Sequence, residues 1–372
     1  MIYLDNAATT KPSRNALKNS EIYCNDEFFN PSALYSGGLN CAREIKKAKE
    51  SILKNLSATN ADVVFTSCGS ESDNMAIFGA VKRGTFITTK GEHSAVYKSF
   101  LELKNRGLNV VFINLNPDGT VKIDELLDYV KNNRVDFISI VHVNNETGGI
   151  NNINEIAKSV KAINNRIVFH SDGVQAYGKI PFKLSQFVDL YSISAHKINA
   201  LKGVGALIKR KNLNLSPLIF GGGQENGLRS GTENVFGIKV FEEAGKEKYL
   251  NLTENYNNAL KLKECFLSLL DKEIFKIISS ENSSPYILTI SAVGLRGEVV
   301  MHSLESEGVI VGNGSACSSK NRFSRVIESC GYKNDVLDGV IRISFSTDTT
   351  LEEVVEASKI LNKVVNNLKG TL

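Results

Sequence analysis

No two cysteines in this sequence are spaced as CxxC, and no cysteine–histidine pattern of zinc-binding spacing occurs. That excludes a zinc ribbon, a zinc finger and a dithiol redox motif, and no metal site is expected. Six cysteines, at 24, 41, 68, 265, 317 and 330, remain in a chain of 372 residues, which is long enough to bury a core without disulfides. No run approaches the ~18 consecutive apolar residues that a membrane span needs, so no membrane association is expected. The opening MIYLDNAATT has neither the basic start nor the apolar stretch of a secretory signal. The expected location is therefore cytoplasmic, with reduced thiols. A block of one charge is missing too: 44 Lys and Arg against 40 Asp and Glu leave a net +4, and the signs are interspersed. Direct nucleic-acid binding is not expected. Lys46, Lys47 and Lys49 stand at helical spacing among Ala, Ile and Leu and read as a solvated helix face. Internal repeats and low-complexity linkers are also absent.

What is present is an alternation. Apolar content of 42% and charged content of 23% are those of an ordinary globular protein, and the length suggests two domains. From about residue 43 to 210, short β-type runs alternate with helical ones. Val63–Thr66, Thr85–Thr89, Val110–Leu115, Phe137–Val143, Ile167–His170 and Leu190–Ser194 are rich in β-branched and aromatic residues and read as strands. Glu71–Arg83, Asp124–Asn132 and Asn154–Ile163 carry apolar residues three and four apart and read as helices, with Asp124 and Asn154 as N-caps. Such alternation implies an α/β fold with a mostly parallel sheet covered on both faces. A glycine cluster, Gly221–Gly223, leads into a helical stretch from about Glu233 to Leu270. The remainder reads as a smaller α/β domain: strand Tyr286–Ser291, helix Glu298–Glu305, strand Val309–Val311, strand Val340–Phe345 and helix Leu351–Leu368.

Candidate chemistry sits at the ends of these runs. The strand ending in Ser194 is followed by Ala195, His196 and Lys197. A lysine at the carboxyl edge of an α/β sheet lies where ligands bind, and in such a pocket it can lose its proton and form a Schiff base. Asp172 closes the preceding strand, in His170-Ser171-Asp172-Gly173-Val174-Gln175. Pyridoxal phosphate (PLP) needs a carboxylate beside its ring nitrogen, although an N-cap role is equally open to Asp172. Ser67-Cys68-Gly69-Ser70-Glu71-Ser72 lies between a strand and a helix, where small residues let main-chain N–H groups close on a phosphate. Cys317 is surrounded by Asn313, Gly314, Ser315, Ser318, Ser319, Lys320 and Asn321, with little apolar surface to bury a thiol. Cys24, Cys41, Cys265 and Cys330 lie in helical contexts and read as packing residues.

The chain resembles a cysteine desulfurase of the class V aminotransferase family. The matching stretches are Tyr3–Thr10, Asn30-Pro31-Ser32, Glu92–Val96, Asn144-Asn145-Glu146-Thr147-Gly148, Ser194–Lys197, Gly221–Thr232, Gly314–Ser319 and Ile341–Ser344. Their order and spacing cover nearly the whole chain. The resemblance implies an α/β PLP-dependent transferase of the aspartate aminotransferase-like type (fold type I). A large PLP-binding domain over 15–245, with a mostly parallel seven-stranded sheet, would join a small domain from 1–14 and 246–372 that carries the Cys317 loop. It implies that Lys197 holds PLP, that Asp172 pairs with the ring nitrogen and Gln175 with the phenolic oxygen. His93 would stack on the ring and take part in proton transfer, also serving as the candidate base for Cys317. Gly69, Ser70, Ser194 and His196 would bind the phosphate, and Thr232 would reach the phosphate of a neighbouring subunit in a homodimer. Asn144 and Arg342 would hold the carboxylate of the substrate, L-cysteine. Cys317 would accept sulfur as a persulfide for a sulfur-acceptor protein such as an iron–sulfur scaffold or a tRNA or cofactor thiolation enzyme.

The stretch from Cys317 to Arg342 resembles the long-loop class of the family. Several positions depart from its common pattern: Ser70 for threonine, Tyr35 for histidine, Cys68 for glycine, Asn199–Gly203 for a Gly-Pro-Lys-Gly turn, and Ser346 for glycine. Two other readings stay open at this point. One is a selenocysteine lyase or another β-eliminating PLP enzyme, the other a non-catalytic interaction protein of the sulfur pathway.

Overall fold

The computed structural model describes residues 1–80, 82–313 and 323–370. Cys317 lies outside the described residues. Two sheets organise the chain. The first strand, β1 (Ile2–Leu4), belongs to the second sheet in space. The larger sheet contains β2 (Ala61–Thr66), β3 (Thr85–Thr89), β4 (Asn109–Ile113), β5 (Phe137–Ser139), β6 (Val168–Asp172), β7 (Leu190–Ser194) and β8 (Gly205–Arg210), in the spatial order β2-β8-β7-β6-β5-β3-β4. Pairings from β4 through β7 are parallel, and β8 alone runs against both its neighbours. This is the mostly parallel seven-stranded sheet expected. Strands β5 and β7 are buried along their whole length, as strands covered on both faces must be.

The smaller sheet adds β9 (Phe275–Ile277), β10 (Ile287–Ala292), β11 (Val309–Asn313) and β12 (Val340–Ser344), in the order β1-β11-β12-β10-β9. Here β1 is parallel to β11, and the other pairings are antiparallel. Leu4, Leu288, Ile290, Ile341 and Ile343 share a core with Val354, Leu361 and Val365 of the helix Leu351–Gly370. Each such side chain contributes about 1.5–3 kcal/mol on burial. The helix Ser36–Asn55 turns Cys41, Ile45, Ala48 and Ile52 inward, spaced four, three and four apart. Lys46 and Lys47 are exposed on it as expected, whereas Lys49 turns to Glu225, 2.5 Å away.

Several local expectations are corrected. Asp124 and Asn154 lie inside their helices and do not cap them. The cap of Ile153–Ile163 is Asn152, whose Oδ1 accepts from Glu155 N–H, while Asn154 accepts from Ser185 N–H at 3.0 Å. The helical stretch 233–270 is two helices, Val235–Leu250 and Leu252–Leu269, broken at Asn251. Cys41 and Cys330 are buried and Cys265 is partly buried, but Cys24 is exposed, so it does not pack.

The register explains where function gathers. On one side of β8, Gly205 pairs with Thr66 at the end of β2, and on the other with Ser194 at the end of β7. A Cβ on Gly205 would lie 2.5 Å from the carbonyl carbon of Cys68, so only glycine admits the loop after β2 at this distance. Asp172 ends the next strand, beside Ser192. The carboxyl ends of β2, β6 and β7 are thereby brought to one edge, the position at which open α/β sheets bind ligands.

Candidate active site

A cavity of about 400 Å³ opens at that edge. Gly69, Ser70, His93, Asp172, Gln175, Ser194, His196, Lys197 and Arg342 all line it. Thus nine sequence-predicted positions, drawn from both sheets, meet in one place.

Lys197 ends a single helical turn, Ala195–Lys197, that directly follows β7. Its Nζ donates to the main-chain carbonyls of Ala7 and Ala8, at 2.6 and 2.7 Å. The turn continues through Asn199, which takes a φ of +64°. Asparagine tolerates this left-handed conformation better than other non-glycine residues. Its side chain also ties the turn to the N-terminal segment, donating to Lys11 O at 2.7 Å.

Asp172 accepts from Val174 N–H at 2.9 Å. Burial pushes its carboxyl up to about 6, opposed by that hydrogen bond and by the Lys197 charge. Beside it stands Asp73, from the helix Gly69–Ala80, fully buried and with no hydrogen bond to its Oδ1. Burial and the Asp172 charge hold the Asp73 carboxyl well above the ordinary range. Donor atoms of Asp73, His93 and Asp172 lie within 4.8 Å of one another.

His93 is the N-cap of the helix Ser94–Asn105. Its Nδ1 accepts from Ala95 N–H at 3.2 Å. Burial, with the Lys197, Arg325 and Arg342 charges, pushes its pKa down to about 4. The ring is therefore neutral at physiological pH, and with Nδ1 engaged as acceptor its proton is assigned to Nε2. His93 in this arrangement offers an N–H. Service as a base at Nε2 requires the proton to shift to Nδ1 and the cap to be given up.

Arg342 lies on β12 and points across Gly312 of β11. Its Nη1 donates to Asn145 O at 2.9 Å and its Nη2 to Asp5 Oδ1 at 2.8 Å. Its Nε is buried and makes no hydrogen bond. The residue lines the cavity, where a guanidinium charge suits a carboxylate. Gln175 is held at both ends: Nε2 donates to Ala7 O and Oε1 accepts from Lys179 Nζ, each at 2.8 Å.

The phosphate-type elements also converge. Gly69 and Ser70 open a 12-residue helix whose first-turn N–H groups have no intrahelical partner. A Cβ on Gly69 would lie 2.8 Å from Val174 Cγ2 and 3.3 Å from Ser194 Cβ, so glycine lets this helix end press against β7. Ser194 Oγ is buried and unpaired. His196 Nδ1 is 3.2 Å from Thr9 Oγ1. The lysine, the carboxylate, the unpaired hydroxyl and the helix N-terminus fit a group that carries an aldehyde, a protonated ring nitrogen and a phosphate.

Two expected residues stand elsewhere. Asn144 is fully buried and does not line the cavity. Its Nδ2 donates to Gly91 O, and its Oδ1 accepts from Glu146 and Thr147 N–H, so it shapes the turn in place of facing a substrate. The adjacent Asn145 lines the cavity. Thr232 is exposed and lies away from its own chain's cavity. Sequence reasoning missed Asp73, Glu146, Asn145 and the Ala7 and Ala8 carbonyls. Asn145, Glu146, Ala7 and Ala8 lie in the matching stretches without a role assigned to them, and Asp73 left a trace as an acid just ahead of the apolar run Met75–Ile77.

The family model described as aminotransferase class-V matches residues 2–356. A Dictyoglomus turgidum protein named cysteine desulfurase IscS is 34% identical over 378 residues, covering 99% of this chain and 95% of that protein. A solved structure titled NifS-like protein superposes with a TM-score of 0.91 at 31% identity, covering 98% of this chain and 99% of that one. Another, titled SspA in complex with cysteine, gives 0.81 at 28% identity over 94% of this chain and 100% of that one. The chain belongs to the aminotransferase class-V family. It is accordingly a PLP-dependent enzyme of fold type I.

Proposed function

We propose that this chain is a cysteine desulfurase, converting L-cysteine to L-alanine and leaving the sulfur on Cys317 as a persulfide. The observation that carries the reading is the convergence of Lys197, Asp172 and Arg342 on one cavity. The likeness to proteins named for this activity supports it, as does one relative's structure bearing cysteine in its title.

Bound PLP supplies an electron sink that lowers the cost of breaking bonds at the substrate's Cα and Cβ. Lys197 would hold the cofactor's aldehyde group and, when its amine is free, would remove the substrate's Cα proton and return a proton to Cα before alanine leaves. The Ala7 and Ala8 carbonyls give its ammonium a place to rest. Asp172 keeps a proton on the ring nitrogen. A cation there returns the carboxylate to its ionised form, because the attraction opposes the burial that raises its pKa. Gln175 donates to the ring oxygen, and Ser70, Ser194 and His196 hold the phosphate with the first-turn N–H groups. Arg342 fixes the substrate carboxylate, which orients Cβ and its sulfur. The Cys317 thiolate forms a bond to the substrate sulfur as the substrate C–S bond breaks. That electron pair returns to the carbon, which takes a proton, so one thiol and one cysteine become one persulfide and one alanine.

Delivery of this sulfur to an acceptor protein, and a cytoplasmic location, belong to the same reading. So does a homodimer in which Thr232 serves the neighbouring cavity. In its support, Phe28, Tyr35 and Phe220 are exposed, and the segment around Pro31 adjoins the loop Gly223–Glu233 that contains Thr232. The test is release of alanine and sulfide from L-cysteine with a reductant, comparing the intact enzyme with Cys317→Ala. Equal amounts from the first and none from the second are expected. Undiminished release from Cys317→Ala would favour an elimination enzyme.

A further inference from the structure

Lys179 is buried, 6% exposed, beneath a cavity whose chemistry makes no direct use of it. A lysine placed there is costly unless its nitrogen is satisfied. Among the described residues no carboxylate bonds it. Among the described residues its one hydrogen bond is to Gln175 Oε1, at 2.8 Å. The backbone delivers it to that point: Gly178 takes a φ of +68°, and Lys179 N–H returns to Ala176 O at 3.0 Å.

Two neighbours determine which way the Gln175 amide faces. At 2.8 Å from one end is the Ala7 carbonyl, which can only accept, so that end is Nε2. At the other end is Lys179 Nζ, which donates whether or not it carries its third proton. With Oε1 held by Lys179 and one Nε2–H by Ala7, the second Nε2–H is the donor the amide has left for the cavity. Without Lys179, Oε1 is buried and unpaired, and the Ala7 carbonyl alone is left to hold the amide's orientation.

We infer that Lys179 is a positioning residue, which locks the Gln175 amide so that an N–H is aimed at the cofactor's ring oxygen. This rests on the reading of Gln175 given above. Lys179 acts through that amide and touches neither cofactor nor substrate. Burial and the neighbouring Lys197, Lys248 and Arg342 charges hold its pKa well below the ordinary range, which agrees with service as a donor in preference to a fixed charge. The carboxylates that line the same cavity are Asp73, Glu146 and Asp172.

The test uses the cofactor-loaded enzyme and reads the pH midpoint of its visible absorbance, with thermal unfolding as a check on folding. A hydrogen bond to the ring oxygen draws charge from it and makes the neighbouring nitrogen, bonded to the cofactor, less basic. Gln175→Leu is therefore expected to raise the midpoint by roughly one pH unit, a tenfold change in proton affinity. Lys179→Met is expected to raise it by a similar amount, and the double variant by no more than either alone. Lys179→Arg keeps a donor and is expected to stay near the unaltered midpoint. A shifted Gln175→Leu with an unshifted Lys179→Met overturns the role of Lys179 alone. A Lys179→Met shift that persists in the Gln175→Leu background overturns it in favour of a charge effect, and a Lys179→Arg midpoint as high as that of Lys179→Met removes the donor argument. An unshifted Gln175→Leu removes the assignment of Gln175 to the ring oxygen, and the inference with it.

Discussion

Lys197 Nζ and Gln175 Nε2 donate to the same acceptor, the carbonyl of Ala7, at 2.6 and 2.8 Å. The residue read as bonding the cofactor and the residue read as touching its ring oxygen are thus both gauged against one peptide of the segment that follows β1. Lys197 also holds Ala8 O, at a more exposed position. In Lys197→Ala that carbonyl can turn to water, and Ala7 O keeps Gln175. The variant is expected to fold, with stability within about 1 kcal/mol of the parent. It is expected to lose the covalent cofactor's visible band and to slow alanine formation on the order of 10³-fold, as loss of a positioned acid–base group does. A retained band would place the cofactor bond on another lysine.

Asp5 Oδ1 accepts from Arg342 Nη2, and Asn145 O from Nη1, so the guanidinium is pinned. Arg342→Ala removes a charge-assisted contact worth about 1.5–3 kcal/mol, and kcat/KM for L-cysteine is expected to fall roughly 10- to 150-fold. Asp5→Ala leaves the charge and frees the fork. It is expected to raise KM several-fold with kcat little changed, because orientation and not chemistry is lost. Steady-state kinetics separate the two; an Asp5→Ala effect confined to kcat would contradict the pinning role.

How far the sequence could be read depended on the length of each element. Runs of five residues or more with clear periodicity, such as β3, β7 and the helix Leu351–Gly370, were legible, and with them Lys197, Asp172, Ser194 and Arg342 at their ends or centres. The strands β1 and β9 have three residues each, too few for a period to show. The reversed β8 begins in a glycine-rich turn that masks its start. Asn152 and Asn154 are alike as residue types, and only the hydrogen bonds distinguish the cap from its neighbour. Asp73, Lys179 and the Ala7 carbonyl gain their places from packing between distant segments, which spacing along the chain does not encode. The motif NNETG marked the correct turn but not which asparagine faces the cavity.

Glu92 is fully buried next to His93. Its Oε1 accepts from Thr89 Oγ1 and Val141 N–H, while its Oε2 has no hydrogen-bond partner. Burial pushes its carboxyl from 4.5 up to about 8. In the unfolded chain the same group ionises near 4.5, so between these values the folded state binds more protons and stability falls as pH rises. The contribution is fully present below about 4.5 and stops changing above about 8. Glu92→Gln has no such group. Comparing urea midpoints at pH 5 and pH 8, the variant is expected to gain on the parent by on the order of 1–3 kcal/mol over that window. A gap independent of pH would mean that Glu92 titrates normally.

Ser194 Oγ makes two opposite demands, because it is buried without a partner in the cofactor-free chain and is read as a phosphate ligand in the loaded one. A buried hydroxyl left unpaired costs about 1–3 kcal/mol. Ser194→Ala removes that cost, and the closely packed Gly69 beside it leaves little room for a void to open. The cofactor-free variant is therefore expected to match or exceed the parent in stability. In the loaded enzyme a charge-assisted hydrogen bond to phosphate is lost, and the cofactor's dissociation constant is expected to rise roughly tenfold. Thermal unfolding with and without added PLP measures both effects on one sample. The cofactor-free curve moves up or stays, and the shift on adding PLP shrinks, since stabilisation by a ligand follows the ratio of its concentration to its dissociation constant. If Ser194→Ala instead weakened the cofactor-free fold and left the PLP-induced shift unchanged, the hydroxyl would have a structural partner and no place in the phosphate site.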